Sequence, residues 1–215
     1  MGQRRLPTVL ADFLQNLQEC RHLAADAYTW SLPRAQGTRP FITRRRRDSM
    51  TELAFFRAFL GWEVFLEESF ILYLAGQKPS RGRAPYRYTF PPNQKTAMDW
   101  LVPEGRPYAR WTHAAEVSDR SERHFRTGGP YARVLRGNRN VLDEARTIRD
   151  AIAHWSGSAR EKFEKIVRTK LTTLPPGLTV GGFLATTAPG SAPPVSFLEF
   201  YVGRIDLAAR QIVPS

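Results

Sequence analysis

An arginine, an aspartate and a histidine lie close together in the segment TIRDAIAHWSGSAREKF, which runs from Thr147 to Phe163. They are Arg149, Asp150 and His154. A histidine can accept and donate a proton near neutral pH, and a guanidinium carries a fixed charge that suits phosphate oxygens. Such a pair suits RNA cleavage, in which a base takes the proton of a ribose 2′-OH and a cation stabilises the charge that grows on the phosphate.

The segment is predicted to be a helix that turns these side chains away from its apolar face. Val141, Ala145, Ile148, Ile152 and Trp155 recur at steps of four, three, four and three, the period of a core-facing stripe. At about 100° per residue, the aspartate lies nearly opposite the stripe, the histidine roughly 140° from its centre and the arginine about 80°. We therefore expect the histidine to face away from the core, with the aspartate one turn earlier orienting its imidazole.

The rest of the chain also reads as helical. The strongest segment lies between a capping-box pair, Ser49 and Glu52, and a terminating Gly76, and it is apolar around most of its circumference. A second capping box is predicted at Ser158 and Glu161. Further helices are expected at about 8–28, 94–101, 114–125, 158–171 and 195–213, and no run alternates like a strand. The predicted fold class is all-α.

Arginine dominates a strongly basic composition. The formal net charge is +12, the sequence pI is about 10.5, and 27 of the 32 basic residues are arginine. Two predicted loops concentrate it, and both are candidate RNA-binding arms, although a solvated tether or a decorated surface loop is the alternative. The candidate residues are Arg44, Arg45, Arg46, Arg47, Arg81, Arg83 and Arg87.

Several classes of site are disfavoured. A single cysteine, Cys20, excludes an intrachain disulfide and most cysteine-based metal sites. There is no run of about 18 apolar residues and no signal-peptide apolar region. We expect a cytoplasmic protein with no metal, no cofactor and no membrane segment.

The motif RDAIAH, Arg149 to His154 on a core-striped helix, resembles the ribonuclease signature of the HEPN superfamily. The upstream segment ELAFFRAFLGWEVFLEESFILYLAG is similar to the long helix before that motif in the RiboL-PSP-type branch. The resemblance covers about 49–171. It implies an antiparallel helical bundle of HEPN type with an additional C-terminal helix. We expect one helical domain over 1–215, with its core at about 49–171 and a proline-rich linker plus that helix at 172–215.

The resemblance also implies a metal-independent endoribonuclease that leaves a 2′,3′-cyclic phosphate and works as a homodimer with a shared cleft. His154 would be the acid/base, Arg149 the phosphate stabiliser and Asp150 the orienting residue. Such proteins often serve as toxins or phage-defence effectors, so a cognate antitoxin or regulatory protein is an expected partner. In one branch the enzyme is silenced by nucleotide transfer to a tyrosine two residues beyond the histidine. Ser156 stands at that position here, so control by that route is not expected.

Two other functions stay open from the sequence. One is a non-catalytic helical module of HEPN type that binds nucleotide, RNA or a protein. The other is a basic, all-α DNA-binding protein, for which only the charge speaks. A second pair, Arg106 and His113, fits the motif spacing, but it lies between a proline and a predicted helix start and is set aside.

Overall fold

The protein is described here by a computed structural model that covers residues 4–34, 38–102, 109–154, 156–190 and 192–215. These residues form nine α-helices and one short 3₁₀ turn, with no strand among them, so the all-α prediction is confirmed. The helices are α1 (Leu6–Trp30), α2 (Arg44–Leu74), α3 (Gln94–Leu101), α4 (Ala114–His124), α5 (Tyr131–Gly137), α6 (Arg139–Ala153), α7 (Gly157–Leu171), α8 (Val180–Ala185) and α9 (Phe197–Ile212). The 3₁₀ turn Arg126–Gly128 separates α4 from α5.

The described residues group into two compact units. The first is drawn from Met1–Gln15, Gly61–Asp143 and Arg204–Ser215, and the second from Asn16–Leu60 and Glu144–Gly203. Helices α1, α2, α6 and α9 each contribute to both units. The sequence treats the last helix as an addition beyond a core at 49–171. In the structure its buried residues belong to the cores of the units, because its apolar stripe runs along its whole length.

The core of the first unit is built around aromatic rings. The ring of Phe70 lies 5.4 Å from Trp111, 5.1 Å from Phe125 and 5.0 Å from Tyr131, measured between centroids. The buried Tyr131 hydroxyl donates to the Ser69 hydroxyl at 2.9 Å, so its polar atom is satisfied. This cluster joins the apolar part of α2 to α4 and α5.

The core of the second unit centres on α8. Phe183 stacks on Phe197 with 4.3 Å between ring centroids and meets the edge of Phe163 at 5.6 Å. Close approach needs a glycine at the start of α8, because a Cβ added to Gly181 would lie 2.0 Å from the Asp48 carbonyl oxygen. The sequence treats this segment as a loop, and α8 is too short for a reliable periodic signal.

Helix α2 begins earlier than the sequence predicts. Thr43 precedes the first helical residue, and its hydroxyl accepts from the Arg46 N–H at 3.3 Å, as an N-cap does. The capping box predicted at Ser49 and Glu52 is therefore wrong. The Glu52 carboxylate accepts instead from the Gly181 N–H at 2.8 Å, a tertiary partner that no local pattern indicates.

Two other predicted helix ends have different outcomes. The N-cap of α7 is Ser156, whose hydroxyl accepts from the Ala159 N–H at 3.3 Å, so the capping box predicted at Ser158 and Glu161 is wrong. The end of α2 is confirmed: Gly76 adopts a φ of 93° just past the helix. Its N–H and that of Gln77 return to carbonyls of the last turn, the glycine-terminated arrangement that the sequence indicates.

Candidate functional site

Helix α6 positions the motif through its apolar stripe. Ala145 and Ile148 are fully buried in the second unit, whereas Trp155, which completes the predicted stripe, lies outside the described residues. The helix ends at Ala153, and the backbone N–H of His154 still donates to the Asp150 carbonyl at 2.9 Å. The histidine therefore continues the last helical turn, just beyond the assigned helix end.

The Asp150 carboxylate is held between two guanidiniums. Arg146 Nη1 lies 3.2 Å from its Oδ2 and Arg149 Nη1 lies 3.1 Å from its Oδ1. The side chains of all three residues are partly buried, which weakens the screening of these interactions by solvent and salt. Sequence reasoning missed Arg146, although its position four residues before an aspartate on a helix is a usual signal for an ion pair.

Arg149 also lies against an aromatic ring from another helix. Its guanidinium carbon is 5.5 Å from the centroid of the Phe56 ring on α2, within the range of a cation–π interaction. Only 18% of the Arg149 side chain is exposed. The arginine is thus oriented by a carboxylate and a ring together, as a charge-stabilising group must be if it is to act without reorganising.

The predicted hydrogen bond between Asp150 and His154 does not form. The His154 residue is exposed, and among the described residues no side chain forms a hydrogen bond with its imidazole. The physical reason is competition: two cationic guanidiniums form stronger, charge-assisted hydrogen bonds with the carboxylate than one imidazole would. The aspartate orients the arginine of the motif rather than its histidine.

The sequence predicts that the four consecutive arginines lie in a loop, but in the structure they form the first turn of α2. Arg44, Arg45 and Arg46 are exposed. Arg47 differs, because its Nη2 lies 2.6 Å from Oδ1 of the buried Asp48. Three cations thus remain on the surface of the second unit, beside the positive end of a helix dipole, where an anion would be stabilised.

The second basic segment also divides by role. Arg81 and Arg83 are exposed and line an open cleft of the first unit. Arg87 instead donates from Nη1 to the Leu74 carbonyl at 2.7 Å and lies 4.9 Å from the Phe90 ring centroid. Its guanidinium closes the end of α2, so the structure gives it a structural role and does not place it with the other two.

The described residues offer little for a metal. No group of three or more histidine, cysteine, aspartate or glutamate side chains among them could hold an ion. Within the same residues, no helix is both long enough and apolar enough to cross a bilayer. Of the second Arg–His pair, Arg106 lies outside the described residues, and His113 directly precedes α4.

The geometry of the motif defines a site with one oriented guanidinium and one exposed imidazole in neighbouring turns at the end of a helix. That combination can bind a phosphate and exchange a proton. No protein-family model, curated protein or solved structure matches the chain. The assignment of a function therefore depends on the chemistry of the site and on the resemblance of its motif.

Proposed function

We propose that the protein is a metal-independent endoribonuclease of HEPN type. The observation that carries the proposal is the arrangement at the end of α6, where Asp150 and Phe56 orient Arg149 and the exposed His154 follows five residues later. Exposed arginines elsewhere supply the positive charge that an RNA substrate needs.

The proposed reaction is an internal transesterification. The imidazole of His154 takes the proton of a ribose 2′-OH, and the 2′ oxygen forms a bond to the adjacent phosphorus. The bond from phosphorus to the 5′ oxygen breaks, and that oxygen takes a proton from an imidazolium. The products are a 2′,3′-cyclic phosphate and a 5′-hydroxyl, and Arg149 stabilises the charge on the phosphoryl oxygens in between.

One histidine cannot act as base and acid in the same step, so the proposal includes a homodimer with a composite site. A second copy related by a twofold axis supplies a second histidine and a second arginine to one cleft. Two features support such a face. Ala153, within the motif, is small and exposed. Leu53 and Leu60, which flank Phe56 at helical spacing on α2, are 56% and 37% exposed.

The biological role follows from the resemblance alone. A basic ribonuclease of this kind fits a toxin or a phage-defence effector, whose activity must be restrained until it is needed. A cognate antitoxin or a regulatory protein is the partner that this role requires.

The test is cleavage of a mixed single-stranded RNA in excess EDTA by the full chain. We expect cyclic-phosphate 3′ ends from the wild type and a loss of at least about a hundredfold in both His154→Ala and Arg149→Ala, since each removes a main catalytic element. The matched controls are His22→Ala, an exposed histidine of the same unit, and Arg160→Ala, an arginine whose side chain is 80% exposed. Thermal melts followed by circular dichroism establish that all four variants fold.

Full activity in either motif variant would overturn the assignment. RNA binding without any product, from folded dimers, would favour the alternative of a non-catalytic helical module that binds nucleotide, RNA or protein. Tighter binding to duplex DNA than to single-stranded RNA at equal salt would instead favour a DNA-binding protein.

A further inference from the structure

The first unit contains an open cleft that the proposed reaction does not use. Its volume is about 360 Å³, within the range of pockets that hold small ligands. Its walls come from the basic loop after α2, the 3₁₀ turn after α4 and the last residues of the chain. The residues that matter for its chemistry are Arg81, Arg83, Tyr86, Arg126 and Gln211.

The lining of the cleft is strongly cationic. Within the part of the chain that the structure describes, three arginines and no aspartate or glutamate line it. Among the described residues, no carboxylate forms an ion pair with Arg81, Arg83 or Arg126. Elsewhere in the same unit arginines are paired, as Arg136 is with Glu122 and Arg210 with Asp206. Three guanidiniums that share a concavity without a counter-charge are suited to bind an anion, and their forked geometry favours phosphate.

An aromatic face adjoins these charges. Tyr86 lines the cleft with 64% of the residue exposed, and its ring meets the Tyr88 ring edge-on, with 6.1 Å between centroids. An exposed tyrosine beside arginines is the usual platform on which a nucleobase stacks while its phosphate is held.

Backbone hydrogen bonds hold the walls of the cleft together. The Arg126 N–H donates to the Tyr86 carbonyl at 2.9 Å, and the Tyr88 N–H donates to the His124 carbonyl at 2.8 Å. On the other side, the Arg81 N–H donates to the Pro214 carbonyl at 3.2 Å. The loop is therefore tied by its backbone to two separate segments of the same unit.

The turn that carries Arg126 depends on its sequence. Thr127, Gly128 and Gly129 all have positive φ, at 54°, 74° and 52°. A Cβ added to Gly128 would lie 2.2 Å from the Ala132 Cβ, so a side chain cannot be accommodated there. Thr127, a non-glycine residue in a left-handed conformation just before Gly128, is a strained feature of the kind that concentrates at binding sites.

We propose that this cleft is a binding site for a nucleoside phosphate, with the phosphate on the guanidiniums of Arg81, Arg83 and Arg126 and the base against Tyr86. The site belongs to the first unit, whereas Arg149 and His154 belong to the second, and the proposal does not rest on the endoribonuclease activity. The ligand has two sources, a free nucleotide and one nucleotide unit within a single-stranded RNA.

The experiment measures binding to the full chain at fixed salt, with two probes. One is adenosine 5′-monophosphate, followed by calorimetry. The other is a fluorescein-labelled 2′-O-methyl oligoadenylate, followed by anisotropy. The 2′-O-methyl probe has no 2′-OH nucleophile, so its binding is measured apart from cleavage. The variants are Arg83→Ala, Arg126→Ala and Tyr86→Leu. The matched control is Arg133→Ala, an exposed arginine of α5 in the same unit that does not line the cleft.

We expect each arginine variant to weaken binding about tenfold, since each removes a charge-assisted hydrogen bond. We expect the control to weaken it less than about twofold. Binding of the mononucleotide identifies the free nucleotide as a ligand, and binding of the oligonucleotide alone identifies the strand. Binding of the mononucleotide and its loss in Arg83→Ala are measured without any cleavage, so a failure of the endoribonuclease proposal would leave this result standing.

The proposal is overturned if neither probe binds, or if Arg133→Ala weakens binding as much as Arg83→Ala does. Unchanged binding by Tyr86→Leu would show that the base does not stack on Tyr86, which would overturn the nucleoside part of the proposal and leave only an anion site. The side chains changed in these variants are all exposed. If Arg83→Ala fails to fold, binding is measured on Arg83→Gln instead, after circular dichroism has established that this variant is folded.

Discussion

The guanidinium carbon of Arg149 lies 5.5 Å from the centroid of the Phe56 ring, so an arginine of α6 is held by a residue of α2 that is ninety-three positions earlier in the chain. The same guanidinium reaches Asp150, the next residue, at 3.1 Å. The contact with Phe56 is set by the packing of the second unit, and the contact with Asp150 is local. Both orient the group that we propose stabilises the phosphate.

Removing the ring should weaken catalysis without abolishing it. In Phe56→Leu the apolar volume largely remains, but the cation–π interaction is lost. Such an interaction contributes about 0.5–2 kcal/mol, so we expect a fall of roughly two- to thirtyfold in RNA cleavage in EDTA. Phe41→Leu, which changes an exposed aromatic residue of the same unit, is the control. Wild-type activity in the Phe56 variant would show that the ring does not orient the arginine.

The two arginines that share Asp150 should differ in importance. Arg146→Ala removes a pair four residues apart, which contributes about 0.3–0.5 kcal/mol to stability, and should keep activity within about threefold. Asp150→Ala removes the carboxylate that lies 3.1 Å from Arg149 Nη1 and should lower activity about tenfold. Glu164→Ala breaks a similar pair with Arg160 on α7 and serves as the control. Equal losses in Arg146→Ala and Asp150→Ala would argue for a role in overall stability instead.

A composite site predicts a particular result when protomers are mixed. If wild type and His154→Ala exchange subunits freely, only wild-type homodimers carry both histidines, and cleavage should fall with the square of the wild-type fraction. A linear fall would mean that each protomer works alone. Light scattering on the same mixtures reports whether dimers are present at all.

A half-buried histidine, His124, should make the stability of the first unit depend on pH. Burial, followed by Arg120 and Arg123, lowers the pKa of His124 below its ordinary value of 6.5. Between the pKa of His124 in the folded state and its value of 6.5 in the unfolded state, the unfolded chain binds more protons, so the free energy of unfolding rises with pH. The contribution of His124 to that free energy is complete above pH 6.5 and is lost as pH falls below it. We expect urea midpoints to rise from pH 5 to pH 7.5, and to rise less in His124→Gln.

The control for that slope is His22→Gln, which changes an exposed histidine on α1. The slope of His124→Gln is compared with the slope of this variant as well as with that of the wild type. An undiminished slope in His124→Gln would assign the effect to other groups.

The contact between α8 and α2 gives a sharp test of packing. Gly181→Ala would place a Cβ 2.0 Å from the Asp48 carbonyl oxygen. Because this oxygen belongs to the backbone of α2, it cannot move aside as the end of a flexible side chain could. We expect a loss of about 1–3 kcal/mol or more in the free energy of unfolding by urea. Gly157→Ala, whose added Cβ has no neighbouring atom within 4 Å, should change stability little. A stable Gly181→Ala protein would mean that α8 packs differently.

Local patterns were a good guide wherever a helix is long and one-sided. The periods of α1, α2, α6 and α9 predict their existence, and Gly76 marks the end of α2, because apolar stripes and glycine ends are encoded by neighbouring residues. Starts were harder. Thr43 and Ser156 cap α2 and α7, while similar residues a few positions later carry the same local signal. Backbone geometry, rather than residue type, selects among such candidates.

At the candidate site, the sequence by itself determined that Arg149, Asp150 and His154 lie off the apolar stripe of α6 and its last turn, because helical periodicity depends only on spacing. The contacts between these residues and the rest of the chain were decided only by the tertiary structure. Phe56 reaches Arg149 through packing of α2 on α6, and the cleft around Arg83 and Arg126 joins segments far apart in the chain. Spacing also did not determine whether the Asp150 carboxylate hydrogen-bonds to the imidazole or to the two guanidiniums. It depends on the relative strength of charge-assisted contacts and on burial, which only the folded chain defines.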